Sequence, residues 1–190
     1  MAASMNSGHA KLGDWGMGLL ESMNILNGLD IGCGGGRNVN ELLKRYPEAH
    51  VTGIDYSEVS VETSTKFNAE EIRAGRCTIM HGDVSQLPFD SETFDFASAF
   101  ETIYFWPGLT HCFKEVFDVL KEDGTFLIVN ESDGTDKASK TFEKIIEGMH
   151  AYTAEEIETA LKDAGFEIQI SDHHLSKPWI RILAHKPKKG

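Results

Sequence analysis

Four glycines follow an aspartate within one short segment, and this spacing suits a nucleoside-binding loop. The segment reads Asp30-Ile31-Gly32-Cys33-Gly34-Gly35-Gly36, at the end of a predicted β-strand. Glycine lets the backbone turn sharply and approach a ligand where a Cβ atom would obstruct it. The dinucleotide fingerprint GxGxxG requires a glycine five positions after Gly32, where Arg37 stands instead. A Walker phosphate loop is also excluded, because no Lys-Ser or Lys-Thr pair follows the glycines.

The elements that must position this loop alternate between short apolar runs and helical patterns. This alternation predicts βαβ units and a mostly parallel sheet. Strands are predicted at residues 28–31, 51–55, 77–80, 94–100, 125–129, 166–170 and 179–184. Helices are predicted after the glycines, from Ser57 to about Gly75, from Leu109 to Leu120 with Asp123-Gly124 ending it, and from a capping box at Thr153 to Gly165. The last two strands are expected to form a hairpin, because no helix separates them.

Composition limits the classes of partner that this chain can have. The 190 residues, 41% of them apolar, suffice for one core, so residues 1–190 are expected to form a single domain. A formal net charge of −12 makes nucleic acid and anionic membranes poor partners. No apolar run approaches the ~20 residues of a membrane helix and no signal pattern is present, so a soluble, cytoplasmic protein is expected.

Metal binding is not predicted from the cysteines and histidines. Cys33, Cys77 and Cys112 lack CxxC spacing, and their odd number does not suggest a disulfide framework. The pair His173-His174 lacks a third ligand at a suitable spacing, and adjacent strand residues point to opposite faces. We therefore interpret this pair as part of a surface loop.

The ordered set of motifs resembles the class I S-adenosylmethionine-dependent methyltransferases over roughly residues 25 to 185. Residues 30–36 look like the family's first motif, in which the acid, Asp30, helps hold the methionine end. Gly32, Cys33 and Gly34 would pass beside the nucleoside. The resemblance implies S-adenosylmethionine as cofactor. It also implies a Rossmann-like α/β fold, with a mostly parallel seven-stranded sheet, flanking helices and a C-terminal antiparallel strand.

The same resemblance assigns further cofactor contacts after the second, third and fourth strands. Asp55 matches the acid that takes both ribose hydroxyls, and two carboxylate oxygens suit two neighbouring donors. Asp83-Val84 matches the position that contacts adenine through the aspartate side chain and the following backbone N–H. Tyr56 and Phe100 complete the expected cofactor set.

Residues 100–106 form the segment at the end of the fourth predicted strand. There this family places residues beside the methyl group and the acceptor. Glu101 is the candidate catalytic residue, orienting or deprotonating an acceptor, with a helix cap or a surface partner as the structural alternative. The expected acceptor contacts are Tyr104, Trp106, Glu131, His150 and Tyr152. The alternatives are core packing for the aromatic residues and surface or loop positions for the polar ones.

Two segments are expected to cover the site. The family inserts its acceptor cover at residues 132–152, and here the cover is short, with an apolar stripe that faces either the core or the pocket. Residues 1–24 resemble a cap segment that folds over the cofactor, closing the site with His9 or Trp15. Alternatively, Trp15 belongs to an N-terminal helix that packs on the sheet.

The acceptor class is narrowed by motifs that the chain lacks. An Asn/Asp-Pro-Pro-Tyr/Phe motif of amino-methylating DNA enzymes does not follow the fourth strand, the loop has one glutamate where arginine methyltransferases have two, and no cysteines cluster as arsenic methylation requires. A small-molecule acceptor remains, and the sequence motifs most resemble those of the methyltransferase domains in quinone and sterol biosynthesis enzymes. The alternative functions are a noncatalytic S-adenosylmethionine-binding sensor or regulatory subunit, and an oxidoreductase, which Arg37 disfavours.

Overall fold

Residues 9–189 are described by the computed structural model, so the first eight residues of the expected cap segment 1–24 lie outside the described part. The strands are β1 Asn27–Ile31, β2 His50–Asp55, β3 Cys77–His81, β4 Phe94–Phe100, β5 Leu120–Asn130, β6 Glu167–His173 and β7 Ile180–His185. The α-helices are α1 Ala10–Met17, α2 Arg37–Arg45, α3 Glu58–Phe67, α4 Ala69–Arg73, α5 Leu109–Val119, α6 Lys137–Ile145 and α7 Ala154–Ala164. Short 3₁₀ turns occur at Gly18–Leu20 and Ile103–Phe105.

The seven strands form one sheet in the order β3-β2-β1-β4-β5-β7-β6. Strands β1 to β5 pair in parallel, whereas β7 runs antiparallel to both β5 and β6. The predicted α/β class, the mostly parallel sheet and the C-terminal hairpin are therefore confirmed. The strand order reverses between β1 and β4, and ligands of open α/β sheets bind at such a switch point, outside the carboxyl ends of the strands.

The sheet is covered on both faces, which explains the continuous apolar runs of its central strands. One buried cluster joins alternate residues of the central strands to α5 and α7, with Phe113, Phe126 and Phe166 among its largest members. The other cluster joins the opposite strand residues to α1 and α2, including Leu12, Leu42 and Phe96. No helix in the described part of the chain is long and apolar enough to cross a membrane.

The prediction of one helix from Ser57 to about Gly75 is wrong, because the helix is divided at Asn68. The Asn68 side chain is buried, and its amide donates to the carbonyl of Gly36 at 3.0 Å and to that of Ser64 at 3.1 Å. This side chain therefore ties the junction between α3 and α4 to the end of the glycine loop.

The predicted boundary between α5 and β5 is also wrong. Helix α5 ends at Val119, and Leu120 already pairs with Phe94 of β4. The next paired residues are Phe96 and Thr125, so the β5 strand carries extra residues at its start. Asp123 lies in this irregular stretch with a φ of 59°. The Asp123-Gly124 pair is typical of a helix end, but here it forms a turn within a paired strand.

The capping box predicted before α7 is confirmed. The Thr153 hydroxyl accepts from the Glu156 backbone N–H, and the Glu156 carboxylate accepts from the Thr153 N–H at 2.8 Å. Gly165 ends the helix with a φ of 106°, in the left-handed region that favours glycine. These two contacts fix the end of the cover and the start of α7.

Lys186 is a buried cation at the end of β7, and we expect its loss to destabilise the fold. Its ammonium group donates to the carbonyls of Phe117 at 2.9 Å and Leu120 at 2.7 Å. Lys186→Met leaves both carbonyls without this donor, so the free energy of unfolding should fall by about 1–3 kcal/mol in chemical denaturation. Lys188→Met is the matched control, because Lys188 is an exposed lysine paired with Asp123. Equal stability of the two variants would contradict the prediction.

Candidate active site

Two adjoining cavities lie at the carboxyl ends of β1, β2 and β4. The first has a volume of about 440 Å³ and extends from the glycine loop, residues 32–36, to α6. The second has a volume of about 340 Å³ and extends from the same loop to the end of β3. Gly32, Asp55, Thr102 and Phe105 line both. The cavities therefore form one continuous cleft at the switch point of the sheet.

The glycine loop is held against β2 by its backbone. The N–H groups of Gly32 and Cys33 both donate to the Ile54 carbonyl, at 2.8 and 3.1 Å. Gly32 has a φ of 75°, and a Cβ atom at this position would overlap the Thr102 side chain. Only glycine therefore permits this turn beside the cleft.

Asp55 ends β2, and its carboxylate lies in the wall that the two cavities share. One oxygen accepts from the Gly34 N–H at 2.8 Å, and the other accepts from the Ser57 N–H at 2.8 Å. These bonds hold the carboxylate against the glycine loop. Each oxygen retains a further lone pair that can accept from a hydroxyl of a ligand.

Asp30 is buried below the glycine loop and lines neither cavity. One carboxylate oxygen accepts from the Ser98 hydroxyl at 2.7 Å, while the other has no hydrogen-bond partner among the described residues. Burial raises the pKa of Asp30 to about 7, and the negative charge of Asp55 contributes to the increase. Any interaction of Asp30 with a ligand would thus pass through the loop above it.

The second cavity contains the residues expected to contact adenine. Asp83 and Val84 line it, together with Tyr56, whose side chain is largely exposed. Trp106, expected at the acceptor, lines this cavity as well. Its ring stacks on Phe126 at a centroid distance of 6.4 Å. Trp106 therefore packs in the core, which was one of the two predicted alternatives, and also lines the second cavity.

Glu101 lines the first cavity directly after β4, with a left-handed φ of 59°. Its Oε1 atom accepts from the Tyr104 hydroxyl at 3.0 Å and from the Glu131 backbone N–H. Its Oε2 atom lies 4.0 Å from His9 Nδ1. Burial raises the pKa of Glu101 to about 7, although its two hydrogen bonds act in the opposite direction. The result is an oriented carboxylate with one oxygen available to a ligand.

Tyr104 connects Glu101 to the cover, residues 132–152. Its hydroxyl also accepts from the Ser132 N–H at 3.2 Å, and its carbonyl accepts from the His150 N–H at 2.9 Å. Tyr104 was expected to contact the acceptor, and it does line the first cavity. Its hydroxyl, however, is already bonded to Glu101 and to the first residue of the cover.

The cover contributes apolar side chains to the first cavity. Phe142, Ile146 and Met149 line it, so part of the apolar stripe faces the cavity. His150 and Tyr152, expected to contact the acceptor, line neither cavity: His150 lies 3.1 Å from Glu143, and its ring meets Tyr152 edge-on at 4.4 Å. Both side chains thus lie behind the cavity-facing part of the cover.

The start of α1 reaches the first cavity, where His9, Leu12 and Gly13 contribute to its wall. His9 Nδ1 lies 3.5 Å from a carboxylate oxygen of Glu131, which was an expected acceptor contact but lines neither cavity. Trp15 instead lies against the C-terminal hairpin, with the Arg181 guanidinium 4.4 Å from its ring centroid. The cap segment therefore covers the site through His9, whereas Trp15 packs on the sheet.

Comparison with known protein families gives a match over the part of the sequence that forms much of this cleft. A model described as a methyltransferase domain matches residues 29–128, which is more than half of the chain. This chain belongs to the class I S-adenosylmethionine-dependent methyltransferases. The matched region of this methyltransferase contains the glycine loop, Asp55, Asp83 and Glu101.

Curated relatives include enzymes named for sterol substrates. This methyltransferase is 29% identical to sterol 24-C-methyltransferase of Aspergillus fumigatus over 88% of its own length and 47% of the relative. It is 34% identical to sterol methyltransferase-like 2 of Botryococcus braunii over 74% of its length and 38% of that protein. The chain thus spans about half or less of the length of these relatives.

Among solved structures, the fold is similar to geranyl diphosphate C-methyltransferase from Streptomyces coelicolor, with a TM-score of 0.81 and 14% identity. The match covers 93% of this chain and 77% of that one. That structure is a complex with Mg²⁺, geranyl diphosphate and S-adenosyl-L-homocysteine. At this level of identity, the similarity concerns the fold.

The donor set of the cleft fits S-adenosylmethionine. Asp55 offers two carboxylate oxygens where the cavities meet, and Asp83 offers a further carboxylate in the second cavity. Glycines at 32 and 34 leave the loop without side chains at its closest approach to the cleft. Phe100 and Glu101 contribute an aromatic ring and a carboxylate to the wall of the first cavity, and such groups suit a sulfonium cation.

Several lining residues were not predicted from the sequence. Thr102 and Phe105 line both cavities, although they lie within the 100–106 segment that was singled out. Leu12, Gly13 and Asn38 also line the first cavity. A signal existed for Thr102, since it immediately follows Glu101. Leu12 and Gly13 lie within the predicted cap segment 1–24 but were not singled out, and no signal existed for Asn38, because its contribution depends on how α2 packs.

Proposed function

We propose that this methyltransferase transfers a methyl group to a small molecule whose acceptor atom lies beside Glu101. The observation that carries this proposal is the oriented carboxylate at the junction of the glycine-loop cavity and the apolar cover. Its Oε1 atom is held by Tyr104 and the Glu131 N–H, and its Oε2 atom accepts no hydrogen bond from residues 9–189. A proton leaving the acceptor atom can therefore be received at Oε2.

Bound S-adenosylmethionine supplies a methyl group that its sulfonium charge has already activated, so positioning is the protein's main task. Asp55 holds the ribose at the junction of the cavities, and Asp83 with the Val84 N–H binds the adenine. Glu101 orients the acceptor and takes its proton. A correctly placed general base typically contributes about 10²–10⁴-fold to the rate.

The apolar cover gives the acceptor its surroundings. Phe105, Phe142 and Ile146 are substantially exposed, yet all three line the first cavity together with Met149. A ligand with apolar surface would bury these side chains and exclude water from Glu101. This supports a small molecule with an apolar portion, in keeping with the sterol-named relatives. It also favours an enzyme over a noncatalytic sensor, which would need no acceptor space.

The proposal is tested first by titration calorimetry with S-adenosylhomocysteine, with NAD as the control ligand. We expect micromolar binding of the former and no measurable heat from the latter. Purified protein is then incubated with S-adenosylmethionine and a panel of amines, phenols and sterols, and release of S-adenosylhomocysteine is measured. Preference for NAD would overturn the cofactor assignment, and binding without turnover on any acceptor would favour the noncatalytic alternative.

A further inference from the structure

We propose that the reacting group of the acceptor is an amine, which enters the first cavity as its ammonium ion and binds to Glu101, close to the exposed carboxylate of Glu131. The proposal rests on the methyl transfer proposed above and specifies the chemical class of acceptor. It is carried by the charges around the cavity and by the hydrogen-bonding capacity that Glu101 retains.

Negative groups predominate where the acceptor atom would lie. Glu101 Oε2 and Glu131 Oε2 lie 4.0 and 3.5 Å from the same nitrogen, His9 Nδ1. This one imidazole supplies at most one positive charge against two carboxylates. An ammonium group can donate to Glu101 Oε2, and the nearby Glu131 carboxylate, outside the cavity lining, adds a second negative charge that favours a cation.

The cavity offers no free cation to an anionic acceptor. Among the described residues that line the two cavities, Arg37 is the only lysine or arginine. Its guanidinium already lies 2.6 Å from an Asp14 carboxylate oxygen and donates to the Asn38 side chain at 3.3 Å. A carboxylate or a phosphate on the acceptor would therefore meet like charges at Glu101 without a compensating partner.

Desolvation drives the proton in the direction that methyl transfer needs. Burial raises the pKa of Glu101 to about 7, and removing an ammonium group from water lowers its own pKa. Both changes favour a neutral amine beside a protonated Glu101. A phenol behaves differently, because ionising it would place a second negative charge beside the carboxylates.

The atoms and charges of the step balance. The ammonium group gives one proton to Glu101 Oε2, which leaves a lone pair on nitrogen. A nitrogen–carbon bond forms from this lone pair as the carbon–sulfur bond breaks, and the electrons of the broken bond remain on sulfur as a thioether. The product is a methylated ammonium ion, and Glu101 returns its proton to solvent by way of His9 and the exposed Glu131.

The test compares three probes of nearly the same shape on protein saturated with S-adenosylhomocysteine. Cyclohexylmethylamine, cyclohexylmethanol and cyclohexanecarboxylate share the apolar ring and differ in the group presented to Glu101. NMR titration should show amine binding at least tenfold tighter than alcohol binding, and the weakest binding for the carboxylate. Equal binding of amine and alcohol, or tighter binding of the carboxylate, would overturn the proposal.

Charge-neutral variants locate the amine preference. Glu101→Gln should reduce the amine-to-alcohol ratio about tenfold, and Glu131→Gln, whose exposed carboxylate lies outside the cavity lining, should reduce this ratio less than Glu101→Gln but more than the control variant. Glu147→Gln is the matched control, since it removes one charge from an exposed residue of the cover that lines neither cavity. An equal reduction in the control would assign the preference to overall charge and overturn the site. Loss of S-adenosylhomocysteine binding in unmodified protein would instead overturn the proposed function.

Discussion

Glu101→Gln should lower turnover by about 100-fold or more while leaving S-adenosylhomocysteine affinity unchanged. Glutamine retains the shape of the side chain and an oxygen that can accept from Tyr104, but it cannot receive a proton from the acceptor. The cofactor-facing residues, the glycine loop and Asp55, are untouched by the change. The expected result is therefore a fall in kcat with little change in cofactor binding, measured by product release and calorimetry.

The pH profile provides an independent readout of the same residue. Glu101 must be ionised to take a proton, and its pKa is raised to about 7 by burial. The rate should thus rise about tenfold per pH unit below this value and reach a plateau above it. In Glu101→Gln this rise of the rate with pH should disappear. An unchanged profile, or full turnover in the variant, would remove Glu101 from the reaction.

Asp55→Ala should weaken S-adenosylhomocysteine binding by about 5- to 150-fold, the equivalent of about 1–3 kcal/mol for leaving hydrogen-bonding groups without their partner. The variant removes the acceptor proposed for two ribose hydroxyls, together with the observed acceptor for the N–H groups of Gly34 and Ser57. Titration calorimetry measures the affinity directly. A smaller loss is expected for Asp55→Asn, because its amide oxygen still accepts one hydrogen bond.

The control for this prediction is Glu58→Gln, three residues away on the exposed start of α3. It removes the same charge without changing a residue that lines the cleft. Thermal denaturation of each variant distinguishes lost affinity from lost folding. Unchanged affinity in Asp55→Ala with normal folding would exclude Asp55 from the binding site.

Much of the fold could be predicted because local patterns and tertiary pairing agree. Buried parallel strands leave continuous apolar runs, and the capping box at Thr153 and the glycine at 165 mark the ends of α7 locally. The start of β5 could not be predicted in this way. Leu120 belongs to β5 because it pairs with Phe94, a contact that depends on the neighbouring strand.

The sequence indicates only some of the residues that line the cleft, for the same physical reason. Gly32, Asp55 and Asp83 lie at or within two residues of the ends of β1, β2 and β3, and the carboxyl ends of parallel strands meet at one edge of the sheet. The cover does not follow this rule. His150 and Met149 are adjacent in sequence, yet only Met149 lines the first cavity. Which of these two side chains faces the cleft depends on how the cover packs over Tyr104.

The left-handed backbone of Glu101 bears on how this protein can change over evolutionary time. A non-glycine residue with positive φ typically costs about 1–3 kcal/mol, and burial of the carboxyl group adds to that cost. Selection for stability alone would favour glycine at this position, which would relax the backbone and remove the buried acid. Under the catalytic role proposed for Glu101, retention of glutamate depends on continued selection for catalysis. A descendant that lost its acceptor would be free to become more stable here while it kept its cofactor cleft.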